Sequence, residues 1–102
     1  MTVDVFRSKI YIIILVRDEN ERVVGVMPIK VVDFLKSKQK VSDQISDFFI
    51  NLEVVPPVRI VFHRDDIKLA NFISETFKEA ERKIEQKIQK MREIVLKVKK
   101  TL

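Results

Sequence analysis

Apolar residues change their spacing along this chain, and each change predicts an element. Ile10 to Val16 is an unbroken apolar run of seven, rich in isoleucine. A run so short and so β-branched predicts a strand covered on both faces. Arg17 to Glu21 reads as a polar turn, and Arg22 to Met27 returns as the hairpin partner. Gly25, the only glycine, is expected at a bulge or a close backbone approach. Val3, Val5 and Phe6 read as an extension of the first strand. Pro28 suits a first helical turn, where its missing N–H is no loss, and Val31, Phe34 and Leu35 then share one face as far as Ser37. Ser42 is the expected N-cap of a second short helix, with Ile45, Phe48, Phe49 and Leu52 at i, i+3, i+4 and i+7. Pro56 and Pro57 stop it and lead into a third strand, Val58 to Phe62.

The last 38 residues, Asp65 to Leu102, contain neither glycine nor proline. One stripe runs through them: Ile73, Phe77, Ala80, Ile84, Ile88, then Met91, Val95, Val98 and Leu102. Its mean spacing is about 3.6 residues, the period of an unstrained α-helix roughly 55 Å long. Asp65 and Asp66 place acid at its N-terminus, where free N–H groups and the helix dipole favour it. The consecutive four-residue steps from Ala80 to Ile84 to Ile88 interrupt a heptad, so strong left-handed supercoiling is not encoded. Ile94 and Leu96 widen the apolar surface near Val95, as in a bundle of several helices.

These elements predict an α+β fold with a small three-stranded sheet in the order β-β-α-α-β-α. Ile10–Val16 is expected at its centre, the hairpin partner on one side and Val58–Phe62 on the other. Two helices between the second and third strands return the chain to the end it left, which makes the third strand parallel to the first. Residues 1–64 form the core and residues 65–102 a long association helix, within one domain overall. Residues 28–35 and 66–73 are weakly alike, each opening a helix after a Val/Ile strand, as either shared helix-start chemistry or an internal duplication would produce.

The other 64 residues make a body only about 28 Å across. The far end of the stripe therefore has nothing of its own chain to lie against. Buried in a partner, each distal side chain is worth roughly 1.5–3 kcal/mol; exposed, together they form a patch unusual on a monomer. The association residues are Ile84, Ile88, Met91, Ile94, Val95, Val98 and Leu102, and the expected partner is a second copy, a dimer in the first instance.

Charge adds a second surface. The net charge is +5, and residues 87–102 carry all of that excess, Lys87, Lys90, Arg92, Lys97, Lys99 and Lys100 standing against Glu93 alone. Cations at a helix C-terminus suit its dipole. The same six make a footprint for the backbone of DNA or RNA, without sequence preference. An aromatic platform for bases is not expected, because Tyr11 lies in the strand read as most buried. Isoleucine, valine and lysine (13, 15 and 13 residues) dominate, against two alanines and one glycine, a thermophile-like balance.

Candidate chemistry is sparse. Without cysteine there are no disulfides and no thiolate zinc sites, and the chain is expected to be cytoplasmic. A single histidine removes most metal and general-base constellations. His63-Arg64-Asp65 has the residue order of the protein-kinase catalytic loop, but Asn71 stands six positions past Asp65 where that pattern wants five, and no glycine loop exists. Asp66-Ile67-Lys68 fits half of a metal-dependent nuclease motif, yet opens a helix where such sites need a strand. Asp18, Glu19 and Glu21 lack the register and glycine of a calcium loop. None of the serines sits near His63 in sequence or in a nucleophile elbow. No catalytic residue, metal, cofactor or membrane insertion is expected. The sequence predicts a non-enzymatic scaffold protein that self-associates through its C-terminal helix, with nucleic-acid binding by the basic helix end as the alternative.

Overall fold

The computed structural model describes residues 1–54, 57–64 and 66–101, without the side chains of 98–101. The fold is mixed α+β, a four-stranded sheet with three helices, the last of them long. Strands β1 (Thr2–Arg7), β2 (Tyr11–Arg17) and β3 (Val23–Lys30) form an antiparallel meander. Helices α1 (Val31–Lys36) and α2 (Lys38–Asn51) follow, then β4 (Arg59–Phe62) and α3 (Ile67–Thr101). Spatial order in the sheet is β3-β2-β1-β4, and β4 runs parallel to β1.

The sheet corrects the sequence reading in two ways. There are four strands, not three, because Val3, Val5 and Phe6 belong to a strand of their own. Ser8 turns the chain between β1 and β2: its N–H donates to the Tyr11 carbonyl at 2.8 Å, and its hydroxyl oxygen accepts from the Tyr11 N–H at 3.0 Å. Strand β4 therefore pairs with β1 and runs antiparallel to β2, opposite to the direction expected. Helix α1 does not cross the sheet. Its six residues span about 9 Å, too short to cross the sheet, and only the 14-residue α2 carries the chain back.

Boundaries moved for local reasons. Pro28 lies in β3, an edge strand with outer N–H groups that need no partner. Helix α2 begins a turn before Ser42, since Lys38, Gln39 and Lys40 are good helix formers. Gly25 is a close approach to α2, next to a bulge opposite Val16 and Arg17. Pro56 and Asp65 lie outside the described residues.

All helices pack on one face of the sheet. Val3, Val5, Ile12, Ile14, Val16 and Ile29 point into the core from the strands. Phe34 of α1, Val41, Ile45 and Phe49 of α2, and Leu69, Ile73 and Ala80 of α3 meet them. Among the described residues no helix lies over the other face. Strand β2 alternates, with Ile12, Ile14 and Val16 buried but Tyr11 and Ile13 exposed, so it is not covered on both faces.

Candidate association surface

Asp66 fixes the start of α3. Its Oδ1 accepts the Leu69 N–H at 3.0 Å, a helix N-cap, and its other oxygen pairs with the Arg7 guanidinium at the end of β1. The first four turns are built into the body. The Phe72 ring meets Phe34 edge-on at 4.9 Å, and Phe77 meets Phe49 at 5.7 Å. Thr76 donates to the Phe72 carbonyl at 2.9 Å and touches the Ser42 hydroxyl of α2 at 3.1 Å. Ala80 is the last fully buried residue of the stripe among those described.

Past Ala80 the cover ends because α2 ends. Ile84 is half-buried and lines a groove of about 360 Å³ with Ile50, Glu53, Lys87, Ile88 and Met91. Beyond it the same stripe is open: Ile88 is 45 % exposed, Met91 59 % and Val95 53 %. Ile94 and Leu96 are exposed on either flank. At about 100° per residue, Ile94 to Leu96 subtends roughly 200° of helix surface, wider than one seam. The molecule measures 59 × 33 × 19 Å. Helix α3 does not double back, having no glycine or proline to bend it. Lys87, Lys90, Arg92 and Lys97 are exposed along the same stretch. Val98, Lys99, Lys100 and Leu102 are sequence-predicted residues whose side chains lie outside the described set.

A second surface was missed by the sequence reading. On the outer face of the sheet, β1 presents Phe6 and Asp4 and β2 presents Tyr11, Ile13 and Leu15. Strand β3 adds Val24 and Val26, both exposed. Asp4 is only 4 % exposed in the middle of this apolar ground. Its Oδ2 accepts Arg17 Nε at 2.7 Å, and its Oδ1 meets His63 Nε2 at 3.0 Å. Burial raises the Asp4 pKa, but the hydrogen bonds from His63 and Arg17, with the charge of Arg17, outweigh it and hold the carboxyl below its ordinary value. His63 also stacks on Phe6, ring centroids 4.2 Å apart and nearly parallel. The readable signal was the period of two in Val3-Asp4-Val5-Phe6, which puts Asp4 beside Phe6 on one face.

The remaining motifs make local hydrogen bonds. Asp18 Oδ1 accepts the N–H groups of Asn20 and Arg22, both at 2.9 Å, and closes the β2–β3 turn. Asp66 is the cap already described. Among the described residues no cluster of His, Asp and Glu is arranged to hold a metal ion, and no helix is long and apolar enough to cross a membrane. No family model, curated protein or solved structure matches the chain.

Proposed function

We propose that the chain is a non-enzymatic interaction protein whose distal α3 pairs with that of a second copy. One observation carries this reading: Ile88, Met91 and Val95 continue the line of Ile73 and Ala80 out of the core and are about half exposed, at 45, 59 and 53 %. Each such side chain gains roughly 1.5–3 kcal/mol on burial, enough between several residues to offset the entropy of association. An antiparallel pair suits the charges. Residues 65–86 carry −2 and residues 87–102 carry +5, so a parallel pair sets like against like. With Met91 near the two-fold axis, Ile88 of each copy faces Val95 of the other and Glu85 approaches Lys97. Light scattering after size exclusion tests the idea. The wild type should run as a dimer or larger, and Met91→Asp with Val95→Asp should at least halve its mass. A wild-type monomer at micromolar concentration refutes it, as does a double variant of unchanged mass.

A second reading has its own observation, the exposure of Lys87, Lys90, Arg92 and Lys97 with only Glu93 opposing them. A duplex backbone laid on this stretch releases counterions, so log K falls with log[salt], and Lys90→Ala with Arg92→Ala flattens the slope by about 2. A chain that holds neither DNA nor RNA at low salt excludes this reading.

A further inference from the structure

We propose that the outer face of the sheet is a second self-association surface, packing face to face on the same surface of another copy. The proposal is independent of the α3 pairing, which uses the opposite side and far end of the molecule. Its first support is the chemistry of the face. Phe6, Ile13, Leu15, Val24 and Val26 make a continuous apolar floor across three strands, and β-branched side chains on a pleated surface pack well against a second sheet about 10 Å away. An interface core of this kind tolerates no unpaired charge. Asp4, the one carboxylate in its middle, has both oxygens engaged by Arg17 and His63 before any partner arrives.

Area is the second support. Four strands about 4.8 Å apart and about six residues long project a face on the order of 400 Å². Two such faces project about 800 Å² together, and the relief of the side chains raises the accessible area buried toward the low end of the range of roughly 1,200–2,000 Å² typical of specific interfaces.

Charge complementarity selects the second copy and its orientation. The two ends of the sheet differ. Lys30 closes β3, Lys9 lies in the β1–β2 turn, and both are exposed at the end where Tyr11 begins β2. At the other end the β2–β3 turn carries Asp18, Glu19 and Glu21 against Arg22. A two-fold axis lying in the interface across the strands brings the acidic turn of each copy over Lys9 and Lys30 of the other. An axis along the strands would lay the acidic turn over Arg59 but set Lys9 against Lys9 and Lys30 against Arg64, so the antiparallel arrangement is favoured. Arg59 and Arg64 then meet at the far rim, where solvent screens them. With the α3 pairing, two different isologous contacts give a tetramer or an open chain of copies.

The test is mass by light scattering on four proteins of a 12.1 kDa chain. The wild type should exceed a dimer. Ile13→Lys, an exposed position, should leave the α3 dimer, and Met91→Asp/Val95→Asp should leave the sheet dimer. All three substitutions together should give a monomer with unchanged far-UV circular dichroism. A charge exchange in the Met91→Asp/Val95→Asp background guards against misfolding. Lys30→Glu alone and Glu19→Lys alone should each raise the dimer Kd about five- to tenfold, and the two together should restore it to within about threefold. A monomeric, folded Met91→Asp/Val95→Asp protein at 100 μM concentration (about) overturns the sheet contact while leaving the α3 reading intact. An unchanged mass on adding Ile13→Lys overturns it too. So does binding of a mixed-sequence single-stranded oligonucleotide that Phe6→Ala abolishes, since the face would then serve bases and not a second copy.

Discussion

A β-carbon added to Gly25 would overlap Cδ1 of Leu52 and fall 3.0 Å from the Phe48 ring. Strand β3 thus lies under the C-terminal turn of α2 as closely as bare backbone allows. The reason is space, since Gly25 does not adopt a positive φ. Leu52 is half-buried, so its methyl can turn aside for one added carbon. Gly25→Ala should therefore cost about 1 kcal/mol and Gly25→Val about 2–3 kcal/mol, because its further methyls meet the Phe48 ring. Urea denaturation with an unchanged m-value is the measurement.

The turn that brings Leu52 there contains the opposite kind of defect. Glu53 has a φ of 54°. The Val54 N–H donates to the Phe49 carbonyl at 3.0 Å and the Glu53 N–H to the Ile50 carbonyl at 3.0 Å, the two bonds of a Schellman motif. Val54 and Phe49, both buried, supply its hydrophobic contact. Glycine is the usual residue at the left-handed position, and a β-carbon there costs about 1 kcal/mol. Glu53→Gly should raise stability by roughly that amount, and Glu53→Ala should not. An unchanged or lower Tm for Glu53→Gly would mean that the Glu53 side chain contributes more than its backbone loses.

These turns also show how far the sequence could be read. The stripe from Ile73 to Val95 identified the helix, and its passage from buried Ala80 to exposed Ile88 follows from comparing helix length with the size of the body. Gly25 was legible as a bulge or a close approach, and the structure has both, a register shift beside it and Leu52 against it. The direction of β4 was not legible. Counting helices cannot tell a six-residue turn that stays at one end from a helix that crosses the sheet. The outer face was hidden for a related reason: seven apolar residues in a row look the same whether both faces are covered or one is bare. Only the packing of every helix on one side decides it.

Arg17 and Asp4 are an unequal pair. Asp4 is 5 % exposed at its side chain and Arg17 32 %. Removing the carboxylate leaves a guanidinium that can reach water; removing the guanidinium leaves a buried carboxylate with His63 alone. Arg17→Met should therefore destabilise more than Asp4→Asn, by about 1–2 kcal/mol at pH 7. The pH dependence follows from the lowered pKa of Asp4. A carboxyl that titrates lower when folded contributes fully above the unfolded value of about 3.9, and the contribution is lost as pH falls through the folded value. Chemical denaturation at pH 7 and at successive steps below pH 4 (roughly) should show the wild type losing its advantage over Asp4→Asn in that window. An advantage that stays constant to acid would mean the carboxylate is not what stabilises the face.

The exposed end of α3 makes the last prediction. A helix end that extends about 15 residues past its last packed turn needs no new nucleus, but without tertiary support each added residue gains little and the end frays in water. Residues 87–101 are such a stretch if the chain is alone, and the pairs that support them, Glu93 with Lys97 among others in sequence, add only about 0.2–0.5 kcal/mol each. Pairing with a second copy would bury the stripe through Met91 and Val95 and hold the backbone helical. Amide hydrogen exchange in residues 87–97 should then slow as protein concentration rises, while amides near Ile73, in the core, should change little. In the Met91→Asp/Val95→Asp protein the distal amides should exchange quickly at every concentration. Distal protection that is strong and independent of concentration in both proteins would mean that the helix holds itself, and the need for a partner would disappear with it.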